Sequence, residues 1–275
     1  MTRDDLARTL RGAYTVWYRD VLSLVRDKAR LGSSLFMSVI FLVGIGFGLG
    51  GVIGKVGATS GVGAGTAGVP YVQFVFPAML VMTALFAAMQ STLSIVWDRE
   101  FGFMRKILVA PISRTSVALG KVAGGVTVAT IQVAIMMLAM PLIGFGFHPL
   151  TYLWMLLLVI LFSAVMTALG ILIAARQKST QAFQMINMFV MMPITLLTLG
   201  SFLPSFGKGV LATVFKAVSQ INPASYAVDA LRQISLGSRL PLAMSIHSAI
   251  IDSLILLVLF VVFAAPGVLL FNKQD

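Results

Sequence analysis

Long apolar stretches alternate along the chain with short segments that contain most of its charged residues. Each of six stretches has more than 20 residues and at most one charge, enough for a helix to cross a hydrocarbon core about 30 Å thick. They run over Ser33–Gly54, Tyr71–Trp97, Val117–Gly144, Leu150–Ala175, Ala182–Leu203 and Ser248–Phe271. The pattern predicts an all-α integral membrane protein with six transmembrane helices.

Residues 1–32 have a different pattern, which is typical of an amphipathic helix. The apolar residues that recur at helical spacing are Leu6, Leu10, Ala13, Tyr14, Trp17, Val21, Leu24 and Val25. Basic residues fill much of the remaining surface, so we predict an interface helix in the lipid headgroup region, anchored by Tyr14, Trp17 and Tyr18. A solvated basic tail is the alternative. The segment lacks the compact apolar region of a signal peptide, and we expect insertion to depend on the helices themselves.

Composition agrees with the membrane prediction. Hydrophobic residues make up 59% of the chain and charged residues 11%, against about 45–50% and about 25% in soluble domains. The absence of cysteine excludes disulfides and thiolate metal sites. His148 and His247 are the only histidines and lie in separate regions, so we expect no metal site.

The distribution of basic residues predicts the orientation. With the N-terminus inside, 15 of the 20 lysines and arginines fall in inner segments and 5 in outer segments. The positive-inside rule then places both termini in the cytoplasm. Because these charges cluster at the ends of apolar stretches, a nucleic acid is not an expected partner despite the net charge of +11.

Two outer segments differ from plain connectors. Residues 44–68 contain eleven glycines, which predicts a flexible loop after the first span. Residues 204–247 are long and only partly polar, and their apolar piece Val210–Val218 is too short to cross the membrane. We therefore predict a re-entrant or interfacial hairpin on the outer face, with its backbone buried against protein.

Residues for catalysis are missing from the sequence. Gly54-Lys55, Gly120-Lys121 and Gly207-Lys208 lack the upstream glycine and the following Ser or Thr of a nucleotide-binding P-loop. We predict no catalytic site and no cofactor bound by this chain. Asp252 is the only acidic residue well inside a predicted span, and an intramembrane carboxylate is a functional candidate. A structural pairing with Arg232 or Arg239 is the alternative.

The cytoplasmic segment 98–116 is dense in charges and aromatic side chains. Phe101, Met104, Ile107 and Leu108 fall at helical spacing, which predicts a short amphipathic helix that ends before Pro111. Composition alone leaves two interpretations open, an interfacial anchor for the span ends or a contact for a partner.

This segment resembles the signature of the type-2 ABC exporter permeases, especially the drug-resistance and polyketide-exporting branch. The similarity includes Asp98–Gly102, Leu108–Arg114 and Gly120-Lys121. A second similarity runs from Asn222 through Tyr226 to Ala230-Leu231-Arg232 and Gly237. Phe76-Pro77-Ala78-Met79 resembles a family element in which a glycine often replaces Ala78. The resemblance covers nearly the whole chain.

The resemblance implies that residues 1–275 form one permease domain, half of a transmembrane dimer with a second copy or a paralogue. A cytosolic ABC ATPase subunit would use ATP and Mg and contact the interface helix. The implied ATPase-coupling residues are Asp98, Arg99, Glu100, Phe101, Gly102, Arg105, Pro111 and Arg114. The implied residues of the outer re-entrant gate are Asn222, Pro223, Tyr226 and Arg232.

Family analogy places the substrate path near the first, second and fifth spans. The candidates there are Phe36, Met37, Phe74, Phe183, Met188, Phe189 and Met192, although lipid-facing packing explains such residues equally well. We expect export of an amphipathic drug, secondary metabolite or lipid across the cytoplasmic membrane of a prokaryote. The alternatives are a permease for saccharides or lipid-linked glycans, an ion-coupled carrier, and an assembly or immunity factor without transport.

Overall fold

The computed structural model describes residues 3–26, 69–101, 114–146, 148–177, 179–200, 218–237 and 247–272, with six further positions between 32 and 48. The α-helices of these residues are α1 (Arg3–Arg26), α2 (Tyr71–Glu100), α3 (Arg114–Met137), α4 (Pro149–Ala174), α5 (Thr180–Gly200), α6 (Pro223–Leu236) and α7 (Ala249–Asn272). Within the described ranges there is no strand, so the prediction of an all-α protein is confirmed.

Five helices, α2, α3, α4, α5 and α7, are long and apolar enough to cross a membrane. They correspond to five of the six predicted spans. Most of the predicted first span, Ser33–Gly54, lies outside the described residues.

The third predicted span is less regular than expected. Helix α3 ends at Met137, and a 3-10 helix follows at Pro141–Ile143. Proline has no N–H, so Pro141 cannot donate to the Met137 carbonyl four residues earlier and the regular helix cannot continue. The segment then turns at Gly144, whose φ of +89° suits glycine.

Helix α2 lies at the centre of the bundle, in contact with α3, α4, α5 and α6. Small residues allow its neighbours to approach closely. A Cβ atom on Gly125 of α3 would lie 2.4 Å from Ser91 Oγ, and one on Gly170 of α4 would lie 2.6 Å from Thr92 Oγ1. The middle of the bundle is therefore packed through glycine, serine and threonine as well as large apolar side chains.

Helix α1 packs on α3 through one face and exposes another. Trp17 Nε1 donates a hydrogen bond of 2.9 Å to Thr127 Oγ1, so this predicted membrane anchor contacts the protein itself. Leu10, Tyr14 and Tyr18 are exposed and are spaced four residues apart on the opposite face. The predicted contact of this helix with lipid headgroups stays a prediction for that exposed face.

Helix α6 is short and deeply buried. Its 14 residues have a length of about 21 Å, less than the thickness of a hydrocarbon core. Most of its residues are buried against α2, α4, α5 and α7. It accounts for the described part of the predicted outer hairpin, whereas residues 204–217 lie outside the described residues.

The two ends of α2 separate two polar regions. Phe74, near its start, contacts Arg232 of α6, whereas Asp98, near its end, contacts Arg19 of α1. Phe74 and Asp98 are 24 positions apart, which corresponds to about 36 Å at the helical rise. This distance exceeds a hydrocarbon core of about 30 Å, so the two regions belong to opposite membrane faces.

Candidate functional site

A buried lysine organises the place where α1, α2 and α3 meet. The Lys121 ammonium lies 3.1 Å from Asp20 Oδ1 and 3.2 Å from Asp98 Oδ2, and its side chain is 2% exposed. It also donates a hydrogen bond of 2.9 Å to Ser94 Oγ. An ammonium has three donors, so these three contacts satisfy a charge that would be costly to bury alone.

Arg19 completes this group from the side nearer to water. Its Nη2 atom lies 2.9 Å from Asp98 Oδ2 and 3.6 Å from Asp20 Oδ1. Two cations and two carboxylates therefore balance in one small region. The Gly120-Lys121 pair of the sequence motif has a structural role here. The glycine leaves room for α1, and the lysine forms an ion pair with Asp20 of α1.

The two residues after Asp98 bind two further helices. Arg99 Nη1 donates to the carbonyl oxygens of Ala174 at 3.1 Å and Ala175 at 2.7 Å, at the C-terminal end of α4. Glu100 Oε2 accepts the Thr180 backbone N–H at 2.9 Å and also the Thr180 hydroxyl. A cation at a helix C-terminus and a carboxylate at a helix N-terminus both stabilise the helix ends.

These contacts define one structural unit, which we call the inner junction after the cytoplasmic side on which the sequence predicts it. Its members are Arg19, Asp20, Asp98, Arg99, Glu100, Lys121 and Thr180. It fixes the end of α2 to α1, α3, α4 and α5.

The structure brings together only part of the predicted coupling residues. Asp98, Arg99 and Glu100 lie in the inner junction, and Phe101 follows with an exposed side chain. Arg114 begins α3. The remaining predicted residues, Gly102, Arg105 and Pro111, lie outside the described residues, as does the predicted coupling helix. Sequence reasoning missed Arg19, Asp20 and Thr180.

The predicted gate residues fasten α6 to its neighbours. Asn222 Nδ2 donates to the Ile194 carbonyl and to Thr198 Oγ1, both at 3.1 Å on α5. Its Oδ1 accepts the Ala224 N–H at 3.0 Å and so caps α6. Pro223 follows at the first helical position, where a missing N–H costs nothing. The Asn-Pro pair therefore both starts α6 and binds it to α5.

Tyr226 and Arg232 anchor the rest of α6. The Tyr226 hydroxyl donates to the Gln220 carbonyl, and burial raises the pKa of Tyr226, so the hydroxyl keeps its proton. Arg232 Nε donates to the Phe74 carbonyl at 3.1 Å, and its guanidinium carbon lies 3.9 Å from the centre of the Phe74 ring. Burial lowers the pKa of Arg232 to about 10, against the opposing effects of Asp229 and Tyr71, so the guanidinium is charged at neutral pH.

Helix α6 also meets the start of α7. Gln233 Nε2 donates to the His247 carbonyl at 2.6 Å, and Gln233 Oε1 accepts the Ala249 N–H at 2.8 Å. Asp252 is completely buried, with one carboxylate oxygen 3.6 Å from His247 Nδ1. Among the described ion pairs Asp252 faces this histidine and not Arg232, one of its two predicted partners. The other, Arg239, lies outside the described residues.

A groove of about 590 Å³ lies between α2 and α5. Its lining includes the predicted path residues Met188 and Met192, and the neighbouring Phe189 is 86% exposed. Phe74 and Phe183 do not line this groove, because both are buried in the core of the chain. The remaining two candidates lie elsewhere: Phe36 is exposed and Met37 is outside the described residues.

Polar side chains accompany the methionines of this groove. Gln90 of α2 and Gln184, Asn187 and Thr195 of α5 contribute to its wall. Asn187 Oδ1 is buried and has no hydrogen-bond partner among the described residues. Amide groups on a membrane helix are costly to expose to lipid, which argues that this wall faces something other than lipid tails.

The described ranges contain no group of three or more His, Cys, Asp and Glu side chains that could hold a metal ion.

The sequence profile of the ABC-2 type transporter family matches residues 12–236, most of the chain. The chain is 26% identical over 212 residues to the ycf38 protein of Cyanophora paradoxa, covering 74% of this chain and 70% of that protein. It is 27% identical over 227 residues to Nodulation protein J of Rhizobium leguminosarum bv. trifolii, covering 81% and 80%. It is 25% identical over 171 residues to the inner membrane transport permease YadH of Escherichia coli K12, covering 62% and 65%.

Proposed function

The chain belongs to the ABC-2 type transporter family, and we propose that it is the permease subunit of an ATP-driven exporter. We infer further that it works in the cytoplasmic membrane of a prokaryote, with both termini in the cytoplasm and a separate ABC ATPase that uses ATP and Mg. Its cargo is an amphipathic drug, secondary metabolite or lipid.

The inner junction is the observation that carries this proposal. The segment proposed to contact the ATPase begins where Asp98, Arg99 and Glu100 bind three different parts of the bundle. A push on that segment by a closing ATPase therefore reaches α1, α3, α4 and α5 together. Glu100 caps α5 and is also exposed, so the same residue is accessible to a partner from the cytoplasm.

Helix α5 supplies the connection from this junction to the outer side. Thr180 at its start binds Glu100, whereas Ile194 and Thr198 near its end bind Asn222 of α6. The groove lies between these two attachments. In the proposed mechanism, a tilt of α5 driven from the inner end changes the groove and displaces α6, which acts as the gate.

The groove is the proposed path, closed on its open side by a second permease copy or a paralogue. Methionine side chains adapt their shape to different apolar cargo. Gln90, Gln184 and Asn187 provide donors and acceptors for the polar end of an amphipathic molecule. The mixture supports amphipathic cargo over a purely apolar one.

Export of a saccharide or a lipid-linked glycan is the second candidate. The three amide side chains of the groove favour it, since amides bind hydroxyl groups well. Stimulation of ATP hydrolysis by the reconstituted complex separates the two candidates. Amphipathic drugs or lipids should stimulate hydrolysis if the first holds, and only glycans should do so if the second holds.

Glu100→Ala tests the coupling role, with Thr180→Val as the matched variant. Glu100→Ala removes both the α5 cap and the proposed ionic contact with the ATPase, so we expect loss of transport with normal membrane insertion. Thr180→Val removes only the hydroxyl donor to Glu100 and should keep ATPase binding. Normal export by Glu100→Ala would overturn the coupling role, and equal loss of ATPase binding in both variants would reduce Glu100 to a helix cap.

A further inference from the structure

Two buried carboxylates and a partly exposed histidine meet where α6 contacts α7. Asp252 is 0% exposed and Asp229 is 4% exposed. His247 joins them, with Nδ1 3.6 Å from Asp252 Oδ1 and its backbone N–H donating to Asp229 Oδ2 at 3.3 Å. We call Asp229, His247 and Asp252 the outer acid cluster.

Asp252 lacks the contacts that a buried carboxylate requires. Neither of its oxygens accepts a hydrogen bond from a donor in the described residues, and His247 Nδ1 is also without a partner there. The carboxyl group instead faces His247, whose backbone N–H donates to Asp229, so two buried carboxylates adjoin the same residue. Two ionised carboxylates only accept, so a bond between them forms only when a proton is present.

Among the described residues, the charges around the cluster are balanced when it binds one proton. Arg232 is the cation that acts on Asp229, and Tyr226 lies beside His247 with 6.0 Å between the ring centres. With both carboxylates ionised and a neutral imidazole, the region would have one excess negative charge. A single proton held by the two carboxyl groups removes it.

The other described helices packed against α6 and α7 offer no second cation at this end. Helix α2 contributes Tyr71, and Tyr152 is the only titratable side chain of α4. Helix α5 has no titratable side chain, and the charged residues of α3, Arg114 and Lys121, lie in its first turns at the inner side.

We propose that Asp229, His247 and Asp252 form a proton-binding site in which one shared proton fastens α6 to α7. When the proton leaves, an uncompensated carboxylate remains buried beside another and the contact weakens. If α6 is the outer gate, a role that rests on the proposed function, the exit responds to the pH outside the cell.

Infrared spectroscopy on the purified chain in detergent tests the site directly, because a protonated carboxyl group has a carbonyl stretch that a carboxylate lacks. We expect a protonated-carboxyl band at low pH that disappears as the pH is raised. The band should be absent in Asp252→Asn, whose neutral amide keeps the shape of the side chain. A spectrum unchanged by this substitution would overturn the proposal.

A second measurement keeps the proposal falsifiable if Asp252→Asn folds poorly. His247→Gln should shift the midpoint of the titrating band, whereas His148→Gln, at the only other histidine, should leave it unchanged. Equal midpoints in all three proteins would remove His247 from the site. Suppression of the band by sodium or calcium chloride at constant pH would show a cation site instead and would also overturn the proposal.

These spectra need no ATPase and no cargo. A failure to find a partner ATPase would therefore leave the proton site standing, and absence of the titrating band would leave the proposed function standing.

Discussion

The inner junction and the outer acid cluster lie toward opposite ends of the bundle. They differ in how completely their buried charged groups are paired. In the inner junction, Lys121 has three partners and two carboxylates are matched by two cations. In the outer acid cluster, the Asp252 oxygens and His247 Nδ1 have no hydrogen-bond partner among the described residues.

This difference separates two uses of polar groups inside a membrane protein. A fully paired network holds neighbouring helices in one geometry, since breaking any pair leaves an uncompensated charge. An incompletely paired cluster can gain or lose a proton at modest cost and so can change the contact it makes. The first suits the transmission of force from a partner, and the second suits a gate.

Lys121→Met should have the largest effect, because it removes the one cation that is buried in the inner junction. Asp20 and Asp98 would lose that partner, and we expect destabilisation by about 3 kcal/mol. Thermal unfolding in detergent measures this loss. Arg19→Gln is the matched control, since a half-exposed pair contributes only about 0.5 kcal/mol. Equal effects of the two substitutions would contradict the central role of the buried lysine.

Gly120→Ala should destabilise the same region by about 2 kcal/mol through overpacking. A Cβ atom there would lie 2.6 Å from the Ala13 carbonyl oxygen, so α1 must move away from α3. Gly267→Ala on α7 is the control, because its Cβ would meet nothing closer than 3.8 Å. The comparison of the two melting temperatures measures how tightly α1 is held, and a neutral Gly120→Ala would show that α1 yields freely.

Arg232→Lys should weaken the attachment of α6 to α2, with a smaller expected loss of stability of about 1 kcal/mol. Lysine keeps the charge but loses the planar group that stacks on Phe74 and donates to its carbonyl. We expect faster labelling of cysteines introduced at Ser235 and other positions of α6, in a chain with no native cysteine. Unchanged labelling would show that charge alone positions this helix.

Thr180→Val should have the smallest effect on stability, about 0.5 kcal/mol, because the backbone N–H still binds Glu100. The informative measurement on this variant is the ratio of transport to ATP hydrolysis in the reconstituted complex. We expect hydrolysis to continue while transport per ATP falls, since α5 follows the inner junction less closely. A proportionate fall of both rates would indicate a loss of folded protein instead.

The lengths of the apolar stretches in the sequence made most of the fold predictable. Five spans lie within a few residues of their predicted limits, except that α3 ends early, before Pro141. The Asn222-Pro223 pair predicted where α6 begins, because its side-chain cap and fixed φ act locally.

The inner junction could not be predicted, because its pairs depend on how helices pack. Asp20 and Lys121 are 101 positions apart, and nothing in their local sequence joins them. The substrate path shows a second limit, since Phe183 is buried and Phe189 is exposed on the same helix. Both are aromatic residues in an apolar stretch, and composition does not distinguish a core face from an open one.

Purification of this protein in mild detergent from cells that also express its genomic neighbours tests the central claim most directly. The account predicts that an ATPase with a P-loop is purified with it, and that Glu100→Ala or Arg105→Ala weakens this association. A pure, folded permease without any ATPase would contradict the account and would favour a self-sufficient carrier.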